Sequence, residues 1–319
     1  MDREREVETV ARLCIILHGK AAGNAGVREA VHQVRQEGHA AEVRVTWEPG
    51  DAARMTAEAV AAAGGGTIDC IVAGGGDGTI NEVFGAAYKV GLPAACSLGV
   101  LPLGTANDFA HATGVPVADL TAAMQLAASA PARWIDVGLL DGKPFVNLVS
   151  GGFGSRITVE TDPEMKRRLG GLAYVLTGIS RFAELSASRG RFRAKGFSWE
   201  GPFVAVAIGN GRQAGGGVQL CPEAVIDDGL LDLMILPELD HAARLQAFSR
   251  LLREGAAGIR AQQVTARSSW IEFESDTDLN VNLDGEPALT KRFCVECRRR
   301  VLPVRLGDTP LVSGDQKRG

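Results

Sequence analysis

The short run Asp69-Cys70-Ile71-Val72-Ala73 is followed at once by Gly74-Gly75-Gly76-Asp77-Gly78-Thr79 and then by Ile80-Asn81-Glu82-Val83-Phe84. The first segment reads as a buried strand and the last as the opening of a helix, so the glycines between them fix a strand–turn–helix unit. Glycine permits positive φ and removes the Cβ atoms that would hold a phosphate away from the backbone. The helix start adds unpaired N–H donors and a partial positive charge. A tight connection without a ligand is the plain alternative; the acid and the hydroxyl in this context favour phosphate binding. The chain lacks G-x-x-x-x-G-K-[ST], and G-x-G-x-x-G does not follow this strand. An ionised Asp77 repels a bare phosphate unless a cation or ordered donors stand between them. A metal–nucleotide complex therefore suits the loop better than a simple phosphate ester.

The same alternation surrounds the loop. Strands are predicted at 13–17, 41–46 and 97–101, and helices at 25–37 and 51–63, with a polar turn at 102–108. This pace implies a Rossmann-like α/β domain with a mostly parallel sheet, and such sheets bind ligands beyond the carboxyl ends of their strands. Thr46, the 74–79 loop and the 104–108 turn all fall on that rim. After residue 132 the pattern becomes β-rich, with strands expected at 134–140, 145–149, 191–195, 203–208, 230–236, 270–274, 279–283 and 293–298. Two helices, 163–185 and 241–254, interrupt them. A length of 319 residues fits two domains. We expect an α/β nucleotide-binding domain over 1–132 and a sandwich-like substrate domain over 133–319, the last strands returning to the first domain, with the active site in a cleft between them.

A net charge of −4 gives no global reason to expect nucleic-acid binding. The charged start Met1-Asp2-Arg3-Glu4-Arg5-Glu6 does not resemble a secretory signal, and no apolar run approaches the ~20 residues of a membrane span. A cytoplasmic protein is expected. The six cysteines are scattered among apolar neighbours, as reduced core thiols are. Cys294 and Cys297 have C-x-x-C spacing but stand alone in a predicted strand, and the five histidines show no metal-ligand spacing.

Three segments together resemble the diacylglycerol-kinase catalytic family of lipid kinases: Gly-Gly-Asp-Gly-Thr-Ile-Asn-Glu at 75–82, Leu-Pro-Leu-Gly-Thr-Ala-Asn-Asp-Phe-Ala at 101–110, and Leu-Asp-Gly-Glu-Pro at 283–287. Val45-Thr46-Trp47-Glu48, Gly151-Gly152-Phe153-Gly154, the glycine-rich 209–217 and Leu220-Cys221-Pro222 are similar to its bacterial YegS branch. The resemblance implies ATP contacts on Thr46, Gly76, Asp77, Gly78, Thr79, Ile80, Asn81, Glu82 and Thr105. It assigns Glu286 as the base that accepts the proton of the attacking hydroxyl. It also maps a magnesium site, which calcium could share, onto the carbonyls of Val225 and Leu230 and the side chain of Asp228. Asp77 and Asp108 are further candidates for organising the ATP-bound metal. The family's Asn-Pro turn after the first strand is replaced here by His18-Gly19-Lys20-Ala21-Ala22-Gly23.

Read without the resemblance, Asp284-Gly285-Glu286 is equally a hairpin turn, and Asp227-Asp228-Gly229 a turn before a strand. The 163–185 segment carries Lys166, Arg167 and Arg168 and then Leu169, Leu172, Leu176 and Ile179 on one helical face. That face suits transient contact with the inner membrane surface or packing on the core. The chain thus reads as an ATP- and magnesium-dependent kinase of a glycerol-containing lipid, phosphatidylglycerol- or diacylglycerol-like, with no protein or nucleic-acid partner implied. Two rivals are an NAD-kinase-like enzyme with a soluble acceptor and a non-catalytic nucleotide sensor.

Overall fold

The structure is a computed structural model that describes residues 10–152, 187–238, 243, 260–283 and 286–312. The expected helix at 163–185, that at 241–254 except residue 243, the Phe153-Gly154 pair, Asp284-Gly285 and the side chain of Glu286 lie outside the described residues.

The first part opens with β1 (Arg12–Leu17), a 3-10 turn (Gly19–Ala21) and α1 (Ala25–Gln36). Asn24 starts α1 by accepting the amides of Gly26 and Val27, and Val27, Ala30, Val31 and Val34 bury one face at i, i+3, i+4, i+7 spacing. β2 (Ala40–Val45), α2 (Asp51–Gly64), β3 (Cys70–Gly75), α3 (Asp77–Val90) and β4 (Ser97–Pro102) continue the alternation. β3 extends through Gly75, and α3 begins at Asp77 rather than at Ile80, so the glycine turn is shorter than its sequence suggests. The four strands pair in parallel in the order β4-β3-β1-β2. Two further helices follow, α4 (Asp108–Ala112) and α5 (Leu120–Ser129).

The second part is β-rich and antiparallel. It comprises β5 (Ala132–Leu140), β6 (Lys143–Phe145), β7 (Leu148–Gly152), β8 (Ser188–Ala194), β9 (Phe197–Gly209), the small hairpin β10 (Gln213–Ala214) and β11 (Val218–Gln219), β12 (Leu231–Pro237), β13 (Val264–Ser268), β14 (Trp270–Leu283) and β15 (Glu286–Arg305). The two strands expected at 270–274 and 279–283 are one, because β14 absorbs the intervening residues in a register shift between Glu274 and Leu279. Conversely, the 145–149 strand divides into β6 and β7. β7 and β8 lie end to end in one row between β9 and β14. Phe192, Phe203, Phe273 and Phe293 fill the core under that row.

The parts share one sheet. β15 pairs antiparallel with β14 and β5, and Val304 pairs in parallel with Leu98 of β4. Leu302 and Val304 consequently bury themselves in the α/β core rather than in the β-rich one.

The backbones that follow β3 and β4 approach each other closely. A Cβ on Gly104 would come 2.5 Å from the Cα of Gly76, whereas one on Gly78 meets nothing. Gly104→Ala is therefore expected to lower the unfolding free energy by roughly 1–3 kcal/mol through overpacking, while Gly78→Ala leaves it unchanged or slightly raised. Urea denaturation checks this; equal effects of the two changes would contradict the contact.

Candidate active site

The parallel strands end level with one another. Val45, Leu17, Gly74 and Leu101 stand side by side across β2, β1, β3 and β4. The residues that follow are tied across the rim: His18 N donates to Gly74 O (2.8 Å), Thr46 N to Leu17 O (2.9 Å), and Leu103 N to Gly75 O (2.9 Å). The Gly19 amide donates to Thr46 Oγ1 (3.2 Å). The 18–23 turn, which departs from the family pattern, is thus joined to Thr46 through its backbone.

At the centre, Gly76 precedes α3, and no side chain caps that helix. Gly78 is exposed and open, and Thr79 turns back to fill the space where a Gly75 side chain would sit. Asn81 Oδ1 is buried with no hydrogen-bond partner among the described residues. Glu82 and Thr105 are exposed. Ile80 differs from the others, because its side chain is fully buried in the core and its amide bonds to Gly76 O. An uncapped helix start with an orphaned buried acceptor in its first turns suits an anionic ligand carrying its own donors or a cation. These residues fit a metal–nucleotide complex.

Asp77 points away from its own helix. Its carboxylate accepts the amides of Asp108 (3.1 Å) and Phe109 (2.9 Å), capping α4. Asp108, 3% exposed, in turn accepts the amides of Gly216 (3.0 Å) and Gly217 (2.7 Å) from the β10–β11 hairpin. Gln213 Nε2 closes the joint on Asp108 O (3.1 Å). Burial pushes the Asp108 carboxyl up, while the two amides pull it down. Three of the family-like segments are thereby connected by two carboxylates. Each carboxylate retains acceptor capacity beyond two amides, so a metal-organising role for Asp77 and Asp108 remains compatible with the joint.

The 225–230 loop forms a second acidic centre. Asp228 accepts the Leu230 amide (2.9 Å) and pairs with Arg267 (2.5 Å), which also reaches Asp232 (3.2 Å). A guanidinium thus already occupies the carboxylate that a cation held by Val225, Asp228 and Leu230 would need. Among the described residues no cluster of three or more His, Cys, Asp or Glu side chains is poised around a metal. As it stands, this loop does not fit a divalent cation.

Beneath it lies Asp136, which the sequence signals only as a lone acid in an apolar strand. It is fully buried and accepts the amides of Gly229 (2.6 Å) and Arg300 (2.6 Å). Arg300 holds Asp227 through its carbonyl (2.9 Å) and carboxylate (3.1 Å). Burial raises the Asp136 carboxyl to about 6 against the opposing pull of the two amides, with Asp228 adding to the rise. Cys297 Sγ lies 3.7 Å away and does not pair with Cys294.

Glu286 opens β15 directly opposite Leu283 of β14, at the hairpin position.

Residues 12–140 match the diacylglycerol kinase catalytic domain, and residues 147–306 match the YegS C-terminal NAD kinase beta sandwich-like domain. The chain is 46% identical over 97% of its length to "Probable lipid kinase YegS-like" of Pseudomonas syringae pv. syringae (strain B728a), covering 98% of that protein. The chain belongs to the YegS-like lipid kinase family. The Pseudomonas aeruginosa (strain UCBPP-PA14) protein of the same name is 50% identical over 86% of this chain and 88% of its own. A crystal structure of a diacylglycerol kinase from Bacillus anthracis str. Sterne shares the fold, with a TM-score of 0.74 at 23% identity, covering 92% of this chain and 96% of that one. Family membership makes the protein an enzyme of the lipid-kinase class.

The buried Asp136 gives a pH signature. Its folded value lies above that of an unfolded aspartate, about 3.9, so its contribution to stability is present below pH 4 and is lost as pH rises to about 6. The unfolding free energy of the wild type minus that of Asp136→Asn should fall by about 2 kcal/mol across this window and stay flat above it. Denaturation at a series of pH values checks this; a difference that is level from pH 4 to 6 would contradict it.

Proposed function

We propose that the protein is an ATP- and magnesium-dependent kinase that transfers the γ-phosphoryl group to a hydroxyl of a glycerol-containing lipid, phosphatidylglycerol- or diacylglycerol-like. The carrying observation is the uncapped start of α3, with its orphaned Asn81 Oδ1, set between Thr46 and Thr105 on one rim in a chain of this family. ATP supplies the transferred group, and magnesium offsets the negative charge that gathers on it. The amides of Gly76, Gly78 and Thr79 donate to phosphate oxygens, with Thr46, Asp77, Asn81, Glu82 and Thr105 completing the contact set, while Ile80 anchors the turn from the core. The close packing of Gly76 on Gly104 keeps this cradle free of side chains.

We place the acceptor lipid in a cleft between the α/β part, about 1–132, and the β-rich part, about 133–319. Glu286 is the general base there, taking the hydroxyl proton as the oxygen attacks phosphorus. A second divalent cation, magnesium or calcium, on Val225, Asp228 and Leu230 would compete with Arg267 for Asp228 and form only when Arg267 gives way. Among the described residues no helix is long and apolar enough to cross a membrane. Transient contact with the inner membrane surface from the cytoplasmic side accounts for access to a lipid. The 163–185 segment is the proposed contact.

The test is incubation with ATP, magnesium and a lipid panel, with NAD as the soluble alternative and mass spectrometry of the products. Phosphorylated lipid is expected, and Glu286→Gln should lower turnover by about 10²–10⁴-fold while ATP affinity stays within about twofold. Phosphorylation of NAD alone would favour the NAD-kinase reading. Nucleotide binding without any product would favour the sensor, and full activity of Glu286→Gln would remove the assigned base.

A further inference from the structure

Trp47 is 92% exposed, more than any other exposed large hydrophobic residue described. A single apolar side chain in water needs no explanation by itself; its mounting does. The Trp47 amide donates to Asp51 Oδ2 (2.7 Å), the Glu48 amide donates to the same oxygen (3.1 Å), and the preceding Thr46 amide bonds to Leu17 O (2.9 Å). Asp51 is itself 7% exposed and fixed by Arg54 (2.7 Å). The indole therefore stands on a backbone tied at three successive amides and still makes no place for itself in the core.

Its position supplies the occupant. Trp47 leaves the end of β2, the edge of the parallel sheet, two strands from the glycine turn that ends β3. At a strand spacing of about 4.8 Å the separation is roughly 10 Å, which an extended nucleoside triphosphate covers. The ground between is the end of β1, where Gly19 has no side chain because the Thr46 carbonyl fills the space a Cβ would need. Between phosphates on α3 and the indole, Gly19 thus adds no side chain, with exposed His18 and Lys20 on either side of it. A bilayer is the weaker occupant. The neighbouring cations Arg44 and Arg54 are paired with Glu42, Glu58 and Asp51, so these two offer anionic lipid little attraction.

We infer that Trp47 is the stacking platform for the base of the nucleotide, fixing the base end while the glycine turn fixes the phosphate end. This rests on the proposed binding of phosphates at α3. Aromatic stacking on a base tolerates any base identity and is lost on truncation to alanine.

Calorimetry of the full chain with magnesium and either ATP or inorganic tripolyphosphate tests it. Trp47→Ala should weaken ATP about 10- to 100-fold, leave tripolyphosphate within about twofold, and regain most ATP affinity as Trp47→Phe. The difference between the two ligands separates base recognition from general damage to the fold. Unchanged ATP binding in Trp47→Ala, or equal weakening of both ligands, would overturn the inference and leave the kinase reading standing. A tryptophan fluorescence response to anionic vesicles that Trp47→Ala abolishes, with no such Trp47-dependent response to ATP, would also overturn it. If the wild type binds neither ligand, the phosphate site falls and the platform with it.

Discussion

A buried or half-buried carboxylate that accepts two backbone amides holds each critical turn of this protein. Asp51 does so for Trp47 and Glu48, Asp77 for Asp108 and Phe109, Asp108 for Gly216 and Gly217, and Asp136 for Gly229 and Arg300. Charge-assisted bonds of this kind are about twice as strong as neutral ones, and inside a protein the donors would otherwise be costly orphans. Two of these joints run in series. Asp77 leaves the glycine turn and fixes the start of α4; Asp108, the first residue of α4, then fixes the hairpin of the β-rich part. The strand-end rim of the α/β part and the β10–β11 hairpin of the β-rich part are thereby tied to one another by side chains that also sit beside the proposed phosphate site.

Elements governed by local rules were legible. The apolar stretch around Ile15, the i, i+3, i+4, i+7 face of Val27–Val34 and the strand before Gly74 follow from periodicity alone, and the motif series pointed to the lipid-kinase family. Errors clustered where geometry overrides pattern. Gly74 and Gly75 read as turn but complete β3, because the neighbouring strands supply ladder partners in Leu17, Leu101 and Pro102. The gap between 274 and 279 reads as a break, yet β14 passes through it by shifting register.

The joints made by Asp77, Asp108 and Asp136 were invisible for a physical reason. Their partners lie 31, 108, 93 and 164 residues apart, as in Asp77 to Asp108, Asp108 to Gly216, Asp136 to Gly229 and Asp136 to Arg300. No periodicity spans such distances. The same holds for Arg267, 39 residues from Asp228, whose guanidinium stands where the family resemblance maps a metal. An acidic turn invites a cation, and in this fold the chain provides one of its own. Asp136 illustrates the converse: a lone acid in an apolar strand marks a buried structural acceptor, and its raised carboxyl records the desolvation it bears.

The series connection from Asp77 to the β10–β11 hairpin is the claim that ties the glycine turn to the β-rich part beyond the shared sheet, and amide hydrogen exchange reads it directly. In Asp77→Asn, exchange at Asp108 and Phe109 should rise by about tenfold or more, as expected for a weakened charge-assisted bond. Because α4 carries Asp108, exchange at Gly216 and Gly217 should rise with it. Wild-type protection at Gly216 and Gly217 in that variant, alongside faster exchange at Asp108 and Phe109, would show two independent joints and contradict the account.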